Sequence, residues 1–156
     1  INVEVVDNPL ANDHSWLLKT VKAKQVALLE EYEVVVFTEA DEFLIHKNML
    51  LADYVEAVRV GDHTAARCVG YEIFHDPEKE SEIDFEEPIM AQRRFWFRRN
   101  GKVGGMTFDK TLISKKPVQW CHGFHSNGGN ISKVTHDTNL FLVHLHRIDY
   151  KYCISS

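Results

Sequence analysis

The stretch Val34-Val35-Val36-Phe37-Thr38-Glu39-Ala40-Asp41-Glu42-Phe43-Leu44-Ile45 decides how this chain is read. Its first four residues are apolar and three of them are β-branched, a short run that favours burial on both faces, as a central strand of a parallel sheet does. The run stops at Glu39, Asp41 and Glu42, and apolar Phe43-Leu44-Ile45 then resumes. Ligands of open α/β sheets bind beyond the carboxyl ends of the strands, so these acids stand where a ligand is expected. In extended chain Glu39 and Asp41 point to the same side. Two oxygen donors on one side suit Mg²⁺ or Mn²⁺, above all an ion shared with a phosphorylated substrate. A solvated acidic turn after a buried strand accounts for the same residues.

Upstream, Asn2-Val3-Glu4-Val5-Val6 reads as a strand ended by Asp7-Asn8-Pro9. Asn12 or Asp13 is placed to cap a helix over about residues 14–31, with Leu17, Leu18, Val21, Leu28 and Leu29 at helical spacing. Strand, helix and strand in under forty residues make a βαβ unit, with the first two strands parallel. Downstream, Asn48 is expected to cap a second helix from Met49 to about Val58, with Leu50, Leu51, Tyr54, Val55 and Val58 inward. The Gly61-Asp62 turn then leads to a strand from about Ala65 to Phe74. Residues 90–99 fit a helix or a strand. Asn100-Gly101 and Gly104-Gly105 mark turns. Thr107 to Ser114, Val118 to Gly123 and Leu140 to Leu145 read as strands, and Asn127-Gly128-Gly129-Asn130 as a flexible loop. The expected fold is α/β, a mixed but mainly parallel sheet flanked by helices, in one domain spanning 1–156.

Hydrophobic residues are 44% and charged residues 26% of the 156, ordinary values for a soluble globular domain. No apolar run approaches the roughly 20 residues of a membrane span. The three cysteines, Cys68, Cys121 and Cys153, are odd in number and far apart, which favours a reducing, cytoplasmic setting over a disulfide framework. The net charge of −5 is uneven: seven acids against Lys79 between Asp76 and Glu87, then eight bases against Asp109 between Arg93 and Lys116. The acidic run reads as a solvated loop. The basic stretch carries Phe95, Trp96, Phe97 and Phe108. In an acidic chain without a nucleic-acid-binding motif, it fits a phosphate-bearing small molecule rather than nucleic acid.

Nine histidines are many for this length. His122 and His125 precede the Asn-Gly-Gly loop, where backbone can approach a ligand closely. His144 and His146 share one side of the last strand, where a packed structural role competes with a ligating one. Glu39-Ala40-Asp41-Glu42-Phe43 after a parallel strand resembles the Asp-x-Asp region of GT-A fold glycosyltransferases, most nearly the family-2-like group whose motif reads Asp-x-Asp-Glu-Phe. Asp109-Lys110-Thr111-Leu112-Ile113, Trp120-x-x-Gly123-x-His125 and Leu142-Val143-His144-Leu145-His146-Arg147 follow in the order that group shows. Each motif is weak alone, the four in order are more specific, and the resemblance runs from about Val3 to Tyr150. Glu39 stands where the group usually has Asp.

The resemblance implies a sugar transfer from a nucleotide-diphosphate donor to a glycan or other acceptor hydroxyl, with Mn²⁺ or Mg²⁺. It implies Asp41, Glu39 and His125 as metal ligands, and Glu39, Lys110 and His144 as donor contacts. Only Ile1 to Tyr32 precede the acidic strand, so the chain is expected to be a C-terminal portion lacking most of the nucleotide-binding segment. A diphosphate leaving group needs its growing charge offset, by the ion and by Lys or Arg. Inverting transfer needs a carboxylate base; Asp76, at the end of a strand, is preferred and Asp109 is the alternative. Asp76 also reads as a turn residue before Pro77, and Lys110 as a lysine that lays its stem on the core and sends its amine to solvent. A metal-dependent phosphohydrolase would use the same groups, with Glu42, His144 or His146 on a second ion. A non-catalytic nucleotide-sugar-binding domain is the third reading.

Overall fold

The computed structural model describes residues 13–98, 107–129 and 131–149. The expected strand at Asn2–Val6, the Asn12 cap, the Asn100-Gly101 and Gly104-Gly105 turns and Cys153 lie outside them. Helix α1 (His14–Glu31) starts at Asp13, whose Oδ1 accepts from the backbone N–H of Ser15 at 2.8 Å and of Trp16 at 3.1 Å. A capping carboxylate of this kind satisfies donors that the first helical turn leaves unpaired. The chain continues through β1 (Val35–Val36), β2 (Glu42–His46), α2 (Leu51–Val60) and β3 (Ala65–Phe74). A short α3 (Ile89–Gln92), β4 (Phe95–Phe97), β5 (Thr111–Ser114), a 3₁₀ turn (His122–Phe124) and the long β6 (Val134–Arg147) complete it.

The strands form one sheet in the order β1-β5-β3-β6-β2, with β4 paired to β3. Among the described residues four pairings are antiparallel and only β3–β6 is parallel, so the sheet is mixed but not mainly parallel. The Val34 run corrects the reading most. Its strand is Val35–Val36 alone, at one end of the described sheet, antiparallel to β5, with Val36 exposed. Val34 packs against the cluster under α2, and Phe37 packs against that cluster and against the one formed by α1 and Trp120. A hydrophobic run reports burial; the direction of the neighbouring strand leaves no mark on it.

Helix α2 begins two residues later than expected, without a side-chain cap, and Leu50 is 74% exposed. The delay has a local cause. Lys47 N–H still donates to Asn139 O at 2.9 Å, extending the β2–β6 ladder, and Asn48 N–H turns back to His46 Nδ1. The 65–74 strand falls at the expected boundaries, while 118–123 forms a single bridge, Trp120 to Asn127, and the 3₁₀ turn. Residues 90–98 divide into the end of α3 and β4, and residues 76–87 form the exposed acidic loop.

Two apolar clusters hold the layers. One packs Tyr54 and Val58 of α2 onto Leu44, Ala66, Cys68, Leu112, Leu140 and Leu142 of the sheet. The other joins Leu17, Leu18 and Val21 of α1 to Val118, Trp120 and Phe124, with Phe37 touching both clusters. Helix α1 is also pinned by a buried amide: Gln25 Nε2 donates to Ser114 Oγ and its Oε1 accepts from Val118 N–H, each at 2.8 Å. Gln25→Ala strands both partners in the interior. A loss of about 1–3 kcal/mol is expected in urea unfolding, the cost of unpaired buried polar groups. An unchanged midpoint would mean that α1 is held by its apolar side chains alone.

Candidate functional site

Strand register builds the site. Glu42 of β2 lies opposite His144 of β6, and His144 lies opposite Glu72 of β3, so the three side chains form a row across one face of the sheet. The adjacent row is Leu44–Leu142–Gly70. A Cβ at Gly70 would collide with the backbone of Phe108, so glycine lets the segment before β5 lie flat on β3. Asp109 secures that approach through Oδ1, which accepts from Gly70 N–H at 2.9 Å. The Phe108 ring then sits 6.2 Å from both the His125 and His144 rings.

Lys110 follows at once and does not reach solvent. Its side chain is 2% exposed, and its ammonium lies between Glu39 and Glu42, 2.5 Å from Glu42 Oε1. The other Glu42 oxygen accepts from Glu39 N–H at 3.0 Å, so the 39–42 turn closes around Lys110. The turn breaks the extended geometry expected for Glu39 and Asp41: Glu39 goes to Lys110, while Asp41 Oδ2 meets His144 Nε2 at 3.0 Å. Leu145 N–H donates to Asp41 O at 2.8 Å and holds the turn against β6.

His144 is thus flanked by two carboxylates, with Nδ1 at 3.0 Å from Glu72 Oε2. The hydrogen bond to Glu72, reinforced by the charges of Glu72, Asp41 and Glu42, raises its pKa against the opposing effect of burial. His125 moves the other way, lowered by burial and then by the Lys110 charge, and its buried Nδ1 has no hydrogen-bond partner among the described residues. His146 stacks on His144 with centroids 5.7 Å apart. Asp41, His144 and His146 offer one ligand atom each, all within 4.8 Å of one another. Two carboxylates, Glu39 and Glu42, meet Lys110 and two more, Asp41 and Glu72, meet His144, so negative charge is concentrated in the cluster.

A cleft of about 60 Å³ is lined by Glu39, Glu42, Phe108, Lys110, Leu142, His125 and His144. The structure therefore brings together Glu39, Asp41, Lys110, His125 and His144 from the sequence-derived set. Asp41 also belongs to the group of described residues that could offer three ligand atoms to an ion, together with His144 and His146 rather than with Glu39 and His125. Asp76 sits in the turn after β3, its oxygens taken by Lys79 Nζ at 2.7 Å and Glu78 N–H at 3.1 Å. Asp109 is buried on Gly70, with Arg98 and His136 at 3.9 and 3.7 Å from its other oxygen. Neither acid lines the cleft. Glu72 was missed, although it is the one carboxylate in the run from Ala65 to Phe74.

No helix among the described residues is long and apolar enough to cross a membrane. Comparison with known protein families, with curated proteins and with solved structures returned no match.

Two measurements check this geometry. In chelated protein, NMR titration should place the His144 midpoint above, and the His125 midpoint below, the free imidazole value of about 6.5. His144 then contributes stability that is complete below the unfolded midpoint and lost as pH rises through the folded one. His125 contributes stability complete above the unfolded midpoint and lost as pH falls through the folded one. Coincident midpoints would contradict the arrangement. Separately, Lys110→Met leaves the buried Glu42 carboxylate without its cation, and a loss of about 3–5 kcal/mol is expected in denaturant. Arg59→Met, whose partners Glu33 and Glu56 are exposed, should cost no more than about 1 kcal/mol. Similar losses for the two would show that Lys110 is not a buried ion partner.

Proposed function

We propose that this chain carries the metal- and diphosphate-handling part of a metal-dependent glycosyltransferase of the GT-A type. One observation carries the reading. Four sequence segments far apart in the chain, those of Glu39–Glu42, Lys110, His125 and His144–His146, converge on one small cleft and its rim. They are the four segments on which the resemblance rests. A buried cluster that only served packing would not need so many ionisable groups.

The residues present fit a divalent ion. Asp41, His144 and His146 would hold it, one oxygen and two imidazole nitrogens. That donor set suits Mn²⁺ better than Mg²⁺, which prefers an all-oxygen shell. When bound, the ion would offset negative charge on a diphosphate leaving group. Lys110 would add fixed positive charge beside the diphosphate, oriented by Glu39 and Glu42 rather than free in solvent. His125, held neutral, would offer a nitrogen at the same cleft. Among the carboxylates bordering the cleft, Glu39 is 36% exposed and Glu42 only 2%. The task of accepting the acceptor's proton therefore falls to Glu39 in this proposal, rather than to Asp76 or Asp109.

The test is incubation with Mn²⁺ and a panel of nucleotide sugars, reading binding by calorimetry and sugar transfer by mass. Asp41→Asn keeps the shape of the side chain and removes the charge that an ion needs. Mn²⁺-dependent nucleotide-sugar binding is expected to fall at least tenfold, about 1.4 kcal/mol, with the melting temperature in chelator little changed. Hydrolysis of phosphate esters without transfer would replace the proposal with a phosphohydrolase. Equal Mn²⁺ affinity in both proteins would remove Asp41 from the centre.

A further inference from the structure

We infer that Glu72 is the positioning residue of this centre, fixing the His144 imidazole so that Nδ1 keeps its proton and Nε2 faces the ion. The inference rests on the metal centre proposed above and adds a residue that no motif in the sequence marks. Glu72 is directly opposite His144 in the β3–β6 register, on the same face of the sheet, with Oε2 3.0 Å from Nδ1. An ionised carboxylate only accepts hydrogen bonds, so this contact requires a proton on Nδ1. The remaining nitrogen, Nε2, is the one that points to Asp41, 3.0 Å away. Metal-ligating histidines commonly donate their second N–H to a carboxylate in this way, which orients the ring and strengthens the ligand.

Burial makes a purely architectural role a poor account of Glu72. The residue is 4% exposed, and its Oε1 is buried with no hydrogen-bond partner among the described residues. A carboxylate with one oxygen unserved costs free energy that an apolar residue at the same position would not. Glu72 is also not itself in the ion-binding trio, whose atoms come from Asp41, His144 and His146. Its contact with the centre runs through His144.

The experiment uses the whole chain with Zn²⁺ or Mn²⁺ alone, without any nucleotide. Calorimetry compares wild type with Glu72→Gln, whose fold is checked by circular dichroism in chelator. A loss of about 10- to 100-fold in ion affinity is expected. Long-range proton–nitrogen correlation spectra of the Zn²⁺-loaded wild type should show His144 protonated at Nδ1 and metal-bound at Nε2. That spectrum decides the matter even if Glu72→Gln fails to fold. Affinity within twofold of wild type, or metal on Nδ1, overturns the role of Glu72 and leaves the centre standing. A wild type that binds neither ion overturns the centre and the role of Glu72 together.

Discussion

A lysine whose side chain is 2% exposed must have its charge answered where it stands, and Lys110 is answered by Glu39 and Glu42. Much of the site follows from that requirement. To bring two carboxylates onto one ammonium, the chain between β1 and β2 must fold back over β5, and Glu42 closes the turn by accepting from Glu39 N–H. Once the turn is fixed, Asp41 has one place to go, against His144. The Phe124 ring, 5.9 Å from the same ammonium, ties the cluster to the α1 core through Trp120 and Phe37. Such buried pairs add little net stability compared with well-packed apolar residues. What Lys110 contributes is position.

The parts of this arrangement that were legible in the sequence are those carried by local chemistry. Asp13 is a good cap wherever it precedes a helix, and the 65–74 strand announced itself by β-branched and aromatic residues between turn signals. The acids after Val36, the Asp109-Lys110 pair and the paired histidines of β6 stood out by residue type. Strand direction did not, because periodicity fixes which face a residue takes and is silent about the neighbour's polarity. The side-by-side placement expected for Glu39 and Asp41 differs for a related reason. Assigning Glu39 and Asp41 to one side assumed extended chain, whereas the bend at Ala40–Asp41 is set by Lys110, 69 residues beyond Asp41. Glu72 was hidden by its setting, since a single carboxylate in an apolar strand gains meaning only from the strand beside it.

The two histidines that line the cleft show how one fold can hold imidazoles of opposite character around one pocket. His144 lies between Glu72 and Asp41, and anionic neighbours favour its protonated form. His125 is comparably enclosed, and burial together with the Lys110 ammonium disfavours its protonated form. The difference comes from strand register. His144 is opposite two acids because β6 runs antiparallel to β2 and parallel to β3. A sheet with all its strands in one direction would have put other residues in that row. The antiparallel β2–β6 pairing beside the parallel β3–β6 one is what concentrates negative charge around one imidazole.

Charge also decides what such a site prefers to hold. With four carboxylates and one lysine, a bare diphosphate would meet net repulsion at the cleft. In the proposed centre a divalent ion held by Asp41, His144 and His146 would reverse that balance. On that proposal, binding of an anionic donor would depend on the ion. Two buried atoms at the site without a hydrogen-bond partner among the described residues, Glu72 Oε1 and His125 Nδ1, lie on opposite sides of this problem. One is an acceptor that a cation's field relieves, and the other is a neutral nitrogen able to serve either a ligand proton or an ion. Their cost is borne by two dense apolar clusters, packed on α1 and α2, that do not depend on the site's charge.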